Sequence, residues 1–151
     1  MIRILNSVAD RLISRYRTTP VYIQRIPAGF VRPSFFIQFV AGDIEELNRY
    51  KRRWNLNVQV VFFSGRTDNE VVDVDKQMGE LNKIYSLFID GSLPVYGTDR
   101  FAKVTGINGY VQDEEIYFDL QMYIDDFDEL KEPDDYDIAQ DADIEIKNVE
   151  E

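Results

Sequence analysis

Four cations crowd into five residues at Arg49, Lys51, Arg52 and Arg53, and they lead directly into the segment Trp54–Phe63. Read with period two, Trp54, Leu56, Val58, Val60 and Phe62 share one face while Asn55, Asn57 and Gln59 share the other, the pattern of a strand with one buried side. Charges at the start of such a strand stay in water or meet acids. Three chemistries suit them: solvation of a hairpin end, charge-assisted hydrogen bonds from Arg to carboxylates of another protein, or phosphate binding. The remaining cations are scattered and form no stripe, which argues against nucleic acid as the ligand.

Carboxylates form two further groups. Asp68, Glu70, Asp73 and Asp75 sit beside Arg66 and Lys76 where a loop becomes a helix, so capping and the helix dipole account for them without catalysis. Asp125, Asp126, Asp128 and Glu129 are hard oxygen ligands close together, but the EF-hand spacing and its glycine are missing, and a solvated linker explains them better than calcium. The chain has no Cys and no His. Their absence removes thiolate and Ser–His–Asp nucleophiles, zinc held by either residue, and a histidine switch. Neither a P-loop nor a Rossmann glycine pattern is present. The expectation is a protein that is not an enzyme and holds no cofactor and no metal.

The charge is unevenly placed. From Asp125 to Glu151 there are 13 acids against two lysines, which accounts for the whole net charge of −11 and leaves residues 1–124 balanced. With 44% hydrophobic residues the chain is rich enough for one real core. The expected organisation is therefore an α+β domain over residues 1–124 and an acidic C-terminal tail over 125–151. That tail is too poor in apolar residues for a core of its own, and is disordered or an extended arm on a neighbour. The N-terminal segment lacks a signal peptide's apolar core, and nothing approaches the ~18 uninterrupted apolar residues of a membrane span, so no membrane partner is expected.

The elements that must position these groups follow from periodicity. Ile2, Leu5, Val8, Ala9, Leu12 and Tyr16 form a helical stripe over about residues 2–16. Val21–Ile26 reads as a short strand, a second begins near Ser34, and the polar run Glu45–Arg53 is the far end of a long hairpin returning through Trp54–Phe63. Asp73 suits the cap of a second helix with the stripe Val74, Met78, Leu81, Ile84, Tyr85 and Phe88, ended by Gly91. Tyr96–Gln112 is strand-like though broken by glycines, and Asp113 and Glu114 form the tip of a hairpin into Ile116–Ile124. The order α-β-β-β-α-β-β predicts a mostly antiparallel sheet with both helices on one face and a long β-hairpin arm.

This order, with Val21-Tyr22-Ile23, Arg32-Pro33-Ser34-Phe35-Phe36-Ile37, the basic Arg49–Arg53 entering Asn57-Val58-Gln59-Val60-Val61-Phe62-Phe63, and Gly109-Tyr110 before Ile116-Tyr117-Phe118, resembles the tail terminator (tail completion) proteins of long-tailed phages and prophages. The resemblance covers about residues 1–124 and carries no catalytic signature. It implies a structural homo-oligomer, commonly a hexameric ring, assembled in the host cytoplasm and resident at the head-proximal end of the virion tail. Such a ring caps the tail tube, ends its polymerisation and offers a surface for head-tail joining. Its implied partners are the tail tube protein and a head-completion or connector protein, with DNA only passing through the lumen. On this reading Arg49, Lys51, Arg52 and Arg53 make the subunit or tail-tube contact. A rival reading is a small acidic binding or inhibitor protein that uses its C-terminal tail on a basic partner. A carboxylate-dependent hydrolase built on Asp68, Asp73 or Asp75 is the third class.

Overall fold

The computed structural model describes residues 2–65 and 73–127, with Asp126 and Phe127 as backbone only. Its elements are α1 (Ile2–Arg15), β1 (Val21–Ile23), β2 (Ser34–Asn48), β3 (Lys51–Phe63), α2 (Val74–Phe88), β4 (Ser92–Pro94), β5 (Phe101–Gln112) and β6 (Glu115–Phe127). The strands form one six-stranded sheet in the order β1-β2-β3-β6-β5-β4. The pair β1/β2 is parallel, while β4/β5 and β5/β6 are antiparallel. This is the expected α+β fold, with the short strand β4 added after α2. Two compact units divide the chain, residues 1–43 with 55–124 and residues 44–54 with 125–151. Both helices and the described hydrophobic core belong to the first.

Alternation builds that core. Phe35 and Ile37 of β2, Leu56, Val58, Val60 and Phe62 of β3, and Ile116, Phe118, Leu120 and Met122 of β6 are all buried. These period-two sets fall on one face of the sheet. Tyr16, just past α1, meets Phe35 edge-on at 5.0 Å between ring centroids, and Tyr85 of α2 meets Phe118 in the same way at 5.6 Å. Both helices thus cover the same face. Arg11 ties them together, donating to the Leu87 carbonyl at 2.6 Å and the Ser92 carbonyl at 3.0 Å.

The helical stripes hold along most of their length and differ at their N-terminal ends. On α1 Leu5, Val8, Ala9 and Leu12 are buried as expected, joined by Ile4 and Ser7, whereas Ile2 is exposed. Ile2 shares the side of Leu5 and Ala9 but is the first residue of the helix, where the stripe runs out. On α2, Ile84 and Phe88 are buried but Val74 and Met78 are exposed. Gln77 takes the inward place because its Nε2 donates to the Glu114 carbonyl at 2.8 Å. The N-cap is Asp73, which accepts from the Lys76 N–H at 3.2 Å, and Gly91 follows the helix end at φ 77°, a conformation that glycine adopts without strain.

Turns set the strand limits. β1 stops at Ile23, short of the expected Ile26, because Gln24 turns to φ 64°. The strand expected from Tyr96, broken by glycines, begins instead at Phe101, after a short hairpin in which Ser92, Leu93 and Pro94 pair with Lys103, Ala102 and Phe101. Pro94 lacks an N–H and so suits this edge strand. Asp113 and Glu114 both have positive φ, 52° and 68°, the backbone of a two-residue hairpin turn that matches strand twist. The register slips between Val104 and Gly106, a bulge. At Gly109 an added Cβ would lie 2.8 Å from the Phe118 ring, so any larger residue forces that ring to shift.

Candidate functional site

The basic cluster lies where the sequence places it, around the turn of the β2–β3 hairpin. β2 ends at Asn48 and β3 begins at Lys51, leaving Arg49 and Tyr50 as a two-residue turn. Asn48 Oδ1 accepts from the Tyr50 N–H at 2.8 Å, the short-range bond by which Asn stabilises a turn. Arg49 stacks its guanidinium 5.3 Å from the centre of the Tyr50 ring, and both side chains are exposed. Arg53 grips Asp125 with two parallel bonds, Nε to Oδ1 at 2.6 Å and NH2 to Oδ2 at 3.0 Å. Lys51 adds its ammonium 3.4 Å from Oδ2. The Arg53 bonds and charge, aided by Lys51, hold the Asp125 carboxyl below the usual carboxylate range.

The four expected residues therefore divide by role. Arg49 points its charge outward beside an exposed aromatic ring, while Lys51 and Arg53 are engaged by an acid of the same chain. Arg52 is half-buried on the alternate face of β3. Asp125, read from sequence as the first residue of the acidic tail, stands within β6. The side chain of Asp126 and the residues Asp128 and Glu129 fall outside the description, as do Arg66, Asp68 and Glu70 of the other carboxylate group. Among the described residues no group of three acids is placed to hold a metal ion.

Sequence reasoning missed a second constellation, on the sheet face opposite the helices. Gln38 Nε2 donates to Gln59 Oε1 at 2.8 Å, and Gln59 Nε2 donates to Asp119 Oδ1 at 3.0 Å and to the Tyr110 hydroxyl at 3.3 Å. Tyr110 and Tyr117 stack with ring planes only 6° apart. Partial burial, then the Asp119 charge, raises the Tyr110 hydroxyl above its ordinary value. Asn57 shares this face, and its Oδ1 is buried without a hydrogen-bond partner among the described residues. The signal was present as alternating Asn, Gln, Asp and Tyr, but the partners depend on cross-strand register. The band is a network of side-chain hydrogen bonds running across neighbouring strands.

A third group closes one end of the sheet. Arg32 NH2 donates to Glu115 Oε2 at 2.6 Å, and its NH1 donates to Glu115 Oε1 and to the Ser64 carbonyl, each at 3.1 Å. Glu115 Oε1 also accepts from the Ser64 N–H at 3.2 Å. The guanidinium lies over both Phe30 and Phe63, 5.6 and 5.5 Å from their centroids. With both Glu115 carboxylate oxygens engaged and aromatic rings alongside, this group is built to hold strands together.

Against known proteins, the profile of a family described as phage tail terminator protein matches residues 3–137. No curated protein matches the sequence.

Proposed function

Because the chain belongs to the phage tail terminator family, which makes it a structural component of a phage tail that meets tail and head components, we propose that it forms a ring at the head-proximal end of the tail tube. The ring, a hexamer, docks on the last ring of tube subunits and leaves no surface on which another tube subunit can add. Its opposite side receives the head-completion or connector protein, and DNA passes through the lumen. The mechanism is steric and asks for no catalysis. What carries the reading is the family match, which spans the helices and all six strands.

In this reading Arg49, Lys51, Arg52 and Arg53 contact a neighbouring subunit or the tail tube. Support comes from Arg49 and Tyr50, a cation and an aromatic ring exposed together at a hairpin turn, a pairing enriched at protein interfaces. Lys51 and Arg53, set by Asp125, shape the base of that contact. The rival reading, a small acidic binder acting through its tail, gains nothing from Asp125, whose carboxylate is spent on its own chain.

Light scattering of the full chain, alone and with tail tube protein, tests this function. A defined oligomer or capture by tube ends is expected, and a strict monomer that never associates with tubes sinks the proposal. The double variant Arg49→Ser/Arg52→Ser is expected to keep the circular dichroism of the parent and lose association. If it unfolds, the cluster serves the fold and the site assignment is wrong.

A further inference from the structure

A ring closes by rotation only when the contact joins two unlike surfaces, and Arg49 supplies one of them. It sits in the turn between β2 and β3 with its side chain exposed, and no acid among the described residues pairs with it. Its guanidinium lies over the Tyr50 ring, 5.3 Å from the centroid. Stacking of this kind engages the flat face of the group and leaves its N–H edges free to donate. The turn therefore carries an oriented, planar cation.

The unlike surface is a cleft of about 370 Å³ whose lining includes Asp43, Asn55, Asn57, Thr105 and Gln121. Asn55, Asn57 and Gln121 alternate with the buried Leu56, Val58, Leu120 and Met122, which puts their amides on the sheet face opposite the helices. The bulge between Val104 and Gly106 makes room on the neighbouring strand, since a Cβ on Gly106 would stand 3.0 Å from Gln121 Oε1. Asp43 is the one charged residue of the lining. Its Oδ1 accepts from Asn55 Nδ2 at 2.9 Å, which orients the carboxylate, and its Oδ2 meets no donor among the described residues. An open carboxylate oxygen among neutral amides and a hydroxyl suits a cation with several donors.

Resting on the ring reading above, we propose that Arg49 of one subunit enters the Asp43 cleft of a second copy of this chain, where its guanidinium donates to Asp43 Oδ2. Charge complementarity selects this occupant: the cleft holds an acid and no cation, and the turn holds a stacked cation with no acid of its own. Tyr50, exposed beside Arg49, rests on the rim and covers the ion pair. Turn and cleft are unlike surfaces of one chain, so each copy gives an arginine to one neighbour and receives one from the other.

Charge reversal in the full-length chain tests the pairing. Asp43→Arg sets cation against cation and Arg49→Asp sets acid against acid. Each variant alone is expected to keep the circular dichroism of the parent and, by light scattering, to associate at least about tenfold more weakly. Mixed in equal amounts, the two variants alternate round the hexamer with an acid facing a cation at every contact, and the oligomer of the parent is expected to return. Such rescue arises only between copies. If either variant alone assembles as the parent does, the pairing is overturned and the ring stands. If both fail and the mixture does not recover, the two charges act within one chain or on the tube, which also overturns it. Should Asp43→Arg unfold, Asp43→Asn and Arg49→Gln, singly and together, form a double-mutant cycle on the association constant, and additive losses overturn the pairing. A parent that never associates, with or without tube protein, removes both readings.

Discussion

Replacing Glu115 with Ala should destabilise the domain more than any other single change to a polar side chain described above. The carboxylate accepts from two guanidinium nitrogens and from the Ser64 N–H, and its side chain is only 9% exposed. Removing one partner of such a pair strands the other, at a cost of ~3–5 kcal/mol for deeply buried cases. The Arg32 side chain keeps 26% exposure, so its guanidinium recovers some hydration and about 3 kcal/mol is the better figure. For a chain of this size that corresponds to a fall of roughly 9 °C in Tm. Urea unfolding followed by far-UV circular dichroism measures it, with the slope checked so that the midpoint shift reports stability. Arg32→Ala and the double variant complete a cycle with a coupling of about 2 kcal/mol. A loss below ~1 kcal/mol for Glu115→Ala, or additive single effects, would refute the claim that these groups act as one pin.

Three other changes probe separate parts of the fold. Gly109→Ala drives a Cβ to 2.8 Å from the buried Phe118 ring and should cost ~1–3 kcal/mol by the same unfolding measurement. Tyr16→Phe loses the hydroxyl's 2.7 Å bond to Glu80 and about 1 kcal/mol. Burial and then Glu80 raise the Tyr16 hydroxyl above its ordinary value, so its contribution is complete below the unfolded tyrosine value and is lost as pH rises through the folded one. An ultraviolet titration of Tyr16→Phe should lack one tyrosine that ionises above the ordinary range in the parent. For Asp125 the folded value is depressed from a usual 3.8, and the sign reverses. The stability gap between parent and Asp125→Asn should be constant above that value and close as pH falls through the depressed one, and a gap that widens in acid would contradict the pairing.

The parts of the fold that sequence revealed are those governed by near neighbours. Alternation marked the buried faces of β3 and β6, Asp113-Glu114 marked a turn, and Asp73 marked a cap, because each signal lies within a few residues. The exposure of Ile2 and Val74 was not readable, since both ends of a stripe look alike until the partner surface is placed. Strand β4 is three residues long and includes a proline, too short for any pattern. The polar band depends on register, which brings Gln59 against Asp119 across 60 positions of sequence. The basic cluster was legible as a hairpin end, whereas its clamp was not. Asp125 lies 72 positions from Arg53 and opens an acidic run that conceals the last turn of the β6 pattern.

The pin at Arg32, Ser64 and Glu115 gathers the start of β2, the exit of β3 and the first residue of β6 at one place. These strands therefore share a fixed origin, from which the alternation of each is counted. Adding two residues to either strand would leave every later side chain on its own face, whereas adding one would turn each to the other face.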